Sequence, residues 1–333
     1  MKLIKTALIL SALALISACK TTSKKSEIEV IASSENQWTG IAVSKEGRIF
    51  VNFPTWSDNV PIKVAEIVDG QVMTYPDKIW NNRFVAVQSV VIDKKNRLWV
   101  LDTNNPRFHG VKDGSPMLYS FDLSQNKLIK AYRFAPSIYK NASYFNDVRI
   151  DTKREIAYMT DSGDGAIIML NLVSGESTRF LDNHKSTESE VDHLICDGVR
   201  WQNSVHADGI GLSPDTNYLY YAALTGHTLY RVPTKALINH LKEIESYVEK
   251  VADIPATDGI LFDKDGTLYL GGLEDHSINM LKNSKVEKLA KDPLIRWPDS
   301  FAMDKEGNLY TTTSQIHLPE GQRKAYQILK LTP

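Results

Sequence analysis

Hydrophobic and polar positions follow one short pattern that returns six times along the chain. Each copy begins with a polar pair, runs on through the alternating residues of a strand, and closes on Asp or Ser before a tight turn. The copies are Thr39–Ser44, Gln88–Asp93, Asn146–Asp151, Asp208–Ser213, Asp258–Asp263 and Asp299–Asp304. A second strand follows each at a nearly constant interval: Arg48–Val51, Arg97–Leu101, Ile156–Thr160, Tyr218–Ala222, Thr267–Leu270 and Asn308–Thr311. Short strands recurring at roughly 40–60 residues describe a β-propeller with one repeat per blade. The pattern predicts an all-β, six-bladed propeller.

Within a blade the strands read as a meander. The second repeat continues through Met117–Asp122 to Lys127–Phe134, and the third through Ala166–Asn171 to Ser177–Leu181. Their apolar residues alternate or form short runs, as in strands covered on both faces. A ring also needs closure, because an open blade exposes unpaired strand edges. Glu29–Ala32 before the first repeat and Tyr326–Leu331 after the last can supply it. Either the N-terminal strand completes the sixth blade or the C-terminal strand completes the first. Two departures stand out. Residues 182–205 form an extra stretch between the third and fourth repeats, and the apolar spacing across Lys235–Glu249 predicts a short surface helix.

The first residues follow a different logic. Lys2 and Lys5 precede an apolar run from Ala7 to Ile16, then Ser17-Ala18-Cys19. A basic start, a short apolar core and small residues before the cut describe a secretory signal too short to span a bilayer. Cys19 after Ile-Ser-Ala resembles the bacterial lipobox, in which the thiol is diacylated before cleavage. The expected organisation is a lipoprotein signal at 1–18, a lipidated tether at 19–27 and the propeller at 28–333. Lys20 after the Cys favours the outer membrane, so the expected location is the cell envelope, lipid-anchored, or outside the cell. Cys196 is then the one remaining thiol, and the fold must be held without an internal disulfide. Net charge is −1 with no basic block, which argues against a nucleic-acid partner. The expectation is a monomer that meets a small molecule and touches the membrane through its anchor alone.

Candidate chemistry gathers where the repeats begin. Innermost propeller strands start at one mouth of the central channel, so Thr39, Gln88, Asn146, Asp208, Asp258 and Asp299 should form a ring of oxygen donors there. Several carboxylates in a confined space repel unless a cation lies between them. Ca²⁺ or another divalent cation, with about six to eight oxygen ligands, suits this set, and so does a protonated amine. The same pairs also suit strand starts, since Asp and Asn before Gly satisfy their own backbone. Asp93, Asp151, Asp263 and Asp304 open turns and are read as structural. His206, two residues before Asp208, is a candidate acid–base group with Asp208. Trp201, Phe53, Trp56 and Phe108 are candidate walls of the mouth.

Six motifs in order carry a resemblance: Trp38–Val43, Arg97–Asp102, Phe145–Arg149, His206–Ile210, Tyr218–Tyr221 and Trp297–Ser300. Together they resemble the major royal jelly protein/Yellow family over essentially Ile28 to the end. That resemblance implies a six-bladed propeller, with bacterial members secreted or lipid-anchored and gluconolactonase-like, and insect members that include amine-binding salivary proteins. The related gluconolactonase propellers hold a catalytic divalent metal on a Glu, two Asn and an Asp from blades one to four. By that comparison Asn146 and Asp208 stand at the third and fourth ligand positions. Thr39 stands in place of the Glu and Gln88 in place of the first Asn. Two functions follow: a propeller binding an amine, sugar or lactone at the channel mouth, or a metal-dependent lactone hydrolase.

Overall fold

The structure is a computed structural model and describes residues 27–332. The signal, Cys19 and nearly all of the tether lie outside the described residues; Glu27, placed at the tether's end, already pairs with Thr332.

Six four-stranded antiparallel sheets stand around one axis. Blade one is built from Ile41–Val43, Ile49–Asn52, Val64–Val68 and Gln71–Thr74. Blade two runs from Val87–Ile92 through Arg97–Asp102 and Met117–Asp122 to Lys127–Arg133. Blades three, four and five begin at Phe145–Asp151, Ala207–Leu212 and Ile260–Phe262. Blade six has Pro298–Met303 innermost, then Leu309–Thr313 and Tyr326–Thr332, with Glu27–Ser34 outermost. Of the two closures, the first is therefore the one the chain uses. The N-terminal strand covers the edge that the C-terminal strand would leave open.

The first residue of every opening polar pair stands outside its strand ladder. In blades two, three, four and six the register breaks between Val87 and Ser89, Phe145 and Val148, Ala207 and Ile210, and Pro298 and Phe301. In blades one and five the ladder begins only at Ile41 and Ile260, after the pair. A bulge frees a residue from pairing and re-aims its side chain, and here it aims the first residue of the pair along the channel. The glycines of the pairs have a separate cause. A Cβ on Gly209 would overlap the Asp258 carbonyl, and one on Gly259 the Asp299 carbonyl. Neither has a positive φ. They are glycine because the next blade's strand passes too close for any side chain.

The core lies between blades rather than inside one. Trp99, Leu101 and Phe134 of blade two interlock with Phe145, Met159 and Ile168 of blade three, and Tyr158 and Ile167 of blade three pack on Tyr221 and Val232 of blade four. The turn aspartates are structural, as read. Asp93 accepts the amides of Lys95 and Arg97, the Arg97 guanidinium at 2.7 Å and the Trp99 indole at 2.8 Å.

The helix expected over Lys235–Glu249 is broken in two. Thr234–Ile238 is α-helical and Ile244–Tyr247 is a 3-10 turn. His240 and Glu243 between them adopt left-handed φ values of 48° and 53°, which end the hydrogen-bond ladder. The extra stretch 182–205 carries a separate hairpin, His193–Cys196 with Val199–Gln202.

Asp93→Ala removes four bonds to a buried carboxylate far from the channel mouth. It is expected to destabilise the domain by roughly 3 kcal/mol in denaturant unfolding and to leave binding at the mouth unchanged.

Candidate functional site

The bulged pairs and the 182–205 insertion enclose a cavity of about 960 Å³ at one mouth of the channel. Its floor is Gln88, Asn146, Asp208, Asp258 and Asp299. Trp56, Phe108 and Tyr144 form one wall, and Trp201, Asn203, Ser204 and Val205 from the insertion form another. Trp56 and Phe108 stack at 6.0 Å between centroids, and Phe108 lies 4.6 Å from Tyr144. Three of the four aromatics expected at the mouth thus line it. Phe53 does not, because it is buried against Trp38.

Hydrogen bonds order the floor from the aromatic side inward. The Trp56 indole donates to the Tyr144 hydroxyl at 2.7 Å, and that hydroxyl donates to Gln88 Oε1 at 2.8 Å. Gln88 Nε2 reaches Asn146 Oδ1 at 3.4 Å. Asn146 Nδ2 donates to Asp208 Oδ2 at 2.6 Å and to Ser162 Oγ at 3.0 Å. The charge of Asp208 lies close enough to Asp258 to raise its pKa. The Trp297 indole donates to Asp258 Oδ2 at 2.8 Å. Burial, and after it the charge of neighbouring carboxylates, holds Asp208, Asp258 and Asp299 well above the usual carboxylate range. Among the described side chains lining the cavity Arg323 is the one strong base, and it is engaged by the Leu318 carbonyl at 2.8 Å.

Beneath the floor Arg149 of blade three pairs with Asp147 at 2.8 Å and donates to the Ile260 carbonyl of blade five at 2.7 Å. Arg149 also lines a pocket at the opposite mouth.

Two expected site residues stand elsewhere. Thr39 is buried and does not line the cavity; its hydroxyl donates to the Gln88 carbonyl at 3.3 Å and accepts from Asn52 Nδ2 at 2.9 Å. Asn52 captures it because Gly40 brings the Asn52 side chain against the pair. His206 does not line the cavity either. Its Nδ1 accepts the Ser189 amide at 3.1 Å, which ties the insertion to blade four. Tyr144, Trp297 and Arg149 were legible only as members of quoted motifs or not at all. The signal for Tyr144 was its place directly before the Phe145-Asn146 pair.

The metal expectation meets a thin donor set. Asn146 turns its amide nitrogen to Asp208 and its oxygen to Gln88, and Thr39 faces away. Among the described residues no three His, Cys, Asp or Glu side chains converge on a point that could hold a metal ion.

Comparison with known proteins places the chain. The sequence model of the major royal jelly protein family matches residues 85–328, more than half of it. Major royal jelly protein 5 of Apis mellifera is 26% identical over 314 residues, covering 86% of this chain and 49% of that one. Protein yellow of Drosophila madeirensis is 25% identical over 232 residues, covering 62% and 40%. The chain thus spans about half the length of these relatives, or less. Among solved structures, a gluconolactonase from Xanthomonas campestris superposes with a TM-score of 0.59 at 12% identity, over 92% of this chain and 90% of that one. At that identity the likeness speaks for the propeller and not for the chemistry. On the match to its sequence model, and with the six-bladed ring that the repeats build, the chain belongs to the major royal jelly protein family.

Proposed function

We propose that this protein is an envelope-anchored binding propeller that takes a small organic cation, a protonated amine, into the cavity at the channel mouth. One observation carries the reading: three buried carboxylates share the floor, and among the described residues no cationic side chain pairs with them. Buried carboxylates without a partner are costly, and an ammonium group supplies both the charge and the donors they lack. Trp56, Phe108 and Tyr144 offer ring faces to the rest of such a ligand. Lipidated Cys19 is the proposed anchor.

A second reading rests on the Asn146–Asp208 contact. By the resemblance, that pair would stand where a gluconolactonase-type propeller holds a divalent metal, with Asp208 as base toward water. Thr39, engaged by Asn52, and Gln88, engaged by Tyr144, support the binding reading over this one.

Calorimetry with phenethylamine and its neutral isostere 2-phenylethanol separates the two. The amine is expected to bind and the alcohol to bind at least tenfold more weakly, the factor of about 1.4 kcal/mol that one charge-assisted hydrogen bond readily supplies. Asp299→Asn should reduce amine affinity by a similar factor. Equal affinities for amine and alcohol sink the binding reading. Hydrolysis of an aldonolactone above the buffer rate that needs Ca²⁺ and is lost in Asn146→Ala establishes the second.

The raised carboxyl pKa values give a stability prediction with a definite sign. Such a group binds its proton more tightly in the folded state. Its stabilising contribution is therefore complete below the unfolded value of about 3.9 and is lost as pH rises toward the folded value, at ~1.4 kcal/mol per unit of separation. Asp182 and Asp304, held below the usual range, act oppositely and are lost in acid. The comparison that isolates the floor is wild type against Asp299→Asn. The variant is expected to melt higher than ligand-free wild type at neutral pH, with the gap closing as pH is lowered. Parallel melting curves at all pH values would show that the floor carries no such repulsion.

A further inference from the structure

Trp297 pays a conformational cost at the site. Its side chain is fully buried, yet its backbone has a φ of 55°, a left-handed conformation in which bulky residues are outliers. Pro298 follows it and narrows the backbone choices further. What that geometry achieves is a reach from the entry of blade six to blade five, where the indole Nε1–H donates to Asp258 Oδ2 at 2.8 Å. Without it that oxygen would face an enclosed site with no donor on this side.

The indole is held in turn by the inserted hairpin. The His317 ring lies parallel to it, 5.5 Å away at 11°. The edge of Trp201, from the second hairpin strand, meets it at 4.9 Å. Leu194 and Cys196 of the first hairpin strand close the same apolar cluster with Leu224, Ala256 and Leu273. His317 is enclosed; its Nδ1 has no partner and its Nε2 bonds Asp197 Oδ2 at 2.7 Å. Asp197 is the single polar group that sets the ring's orientation. It sits in the hairpin turn at a φ of 53° and also engages His276 Nε2 at 2.6 Å and Arg296 Nε at 3.1 Å. The hairpin pairs with no blade; these contacts, together with the Ile195 amide on Glu274 at 3.1 Å, seat its turn against blades five and six, while Thr225 of blade four holds its flanks through Val191 and Val205.

We infer that Trp297 is the positioning residue of the acidic floor, and that the inserted hairpin holds it on Asp258 through the Asp197–His317 contact. The insertion is then part of the binding site at two levels. It supplies a wall through Trp201 and Val205, and it fixes the direction of a carboxylate that it does not touch. This inference rests on the cavity being the binding site for a cation.

The test uses calorimetry with phenethylamine and 2-phenylethanol, and the Trp297 indole ¹⁵N–¹H resonance, assigned by its loss in Trp297→Phe. Trp297→Phe keeps the packed ring and removes the donor. It is expected to weaken phenethylamine about tenfold or more, the scale of a hydrogen bond to a charged group, with 2-phenylethanol affected much less. Asp197→Ala, on a partly exposed turn, and His317→Gln should move or broaden the indole resonance and weaken the amine by a smaller factor. Wild-type amine affinity in Trp297→Phe, or an unmoved indole resonance in Asp197→Ala, overturns the inference. If Trp297→Phe does not fold, Asp197→Ala decides. If wild type binds no phenethylamine, the cation-binding reading falls by itself. The ligand-free resonance then still decides the inference: displaced in Asp197→Ala it supports the positioning chain, unmoved it refutes it.

Discussion

The architecture of the site depends on how closely neighbouring innermost strands approach at the axis. Gly209 and Gly259 sit where a Cβ would overlap the carbonyl of the next blade's leading aspartate. In blades two, three, four and six the register breaks at the leading residue of the pair, and Gln88, Asn146, Asp208 and Asp299 turn up into the mouth. Three carboxylates are brought together as a geometric consequence of ring closure. Their elevated proton affinity follows from burial first and mutual repulsion second.

Stability and function then draw on different parts of the same repeat. Four of the six phrases end on a carboxylate that satisfies its own turn, as Asp304 does with the Asn308 amide at 2.8 Å and side chain at 2.7 Å. The last three phrases open on one, at Asp208, Asp258 and Asp299, that the fold leaves short of positive charge. A ring whose core is spread over all its blade interfaces can tolerate that local cost, because no single interface bears the whole of it. Asp147, paired with Arg149 at 2.8 Å, still adds its charge to that cost, raising the pKa of Asp208, Asp258 and Asp299.

Most of the fold was legible because it is periodic. The polar pair, strand, turn and strand return at fixed spacing, and alternation with turn residues is a local signal that survives without tertiary information. Blade order followed from the same count, and the cost of a bare edge left two closures open, of which the chain uses the N-terminal strand on blade six. The convergence of Gln88, Asn146, Asp208, Asp258 and Asp299 was legible too, since equivalent positions in a ring must meet. What failed was equivalence where a local partner intervened. Thr39 is the sixth member by position, but Asn52, one strand away, takes its hydroxyl. His206 is near in sequence and is used to moor the insertion. The helix across His240 and Glu243 failed because helical apolar spacing does not report a left-handed break.

The contacts that escaped the sequence share one property: each spans elements that have no fixed separation along the chain. Arg149 of blade three reaches Ile260 of blade five, 111 residues away. Asp197 meets His317 at a separation of 120 residues. Trp297 reaches back to Asp258 from the strand that opens the next blade. Periodicity predicts which positions are alike, whereas these residues matter because they differ from their counterparts in the other blades. A family that keeps one ring and varies such singular contacts can keep its core while changing what the mouth accepts. In this chain two of these contacts, Asp197–His317 and Trp297–Asp258, lie beside the 182–205 insertion at blades five and six. The repeats bring the charge to the mouth, and the insertion governs how part of that charge is presented.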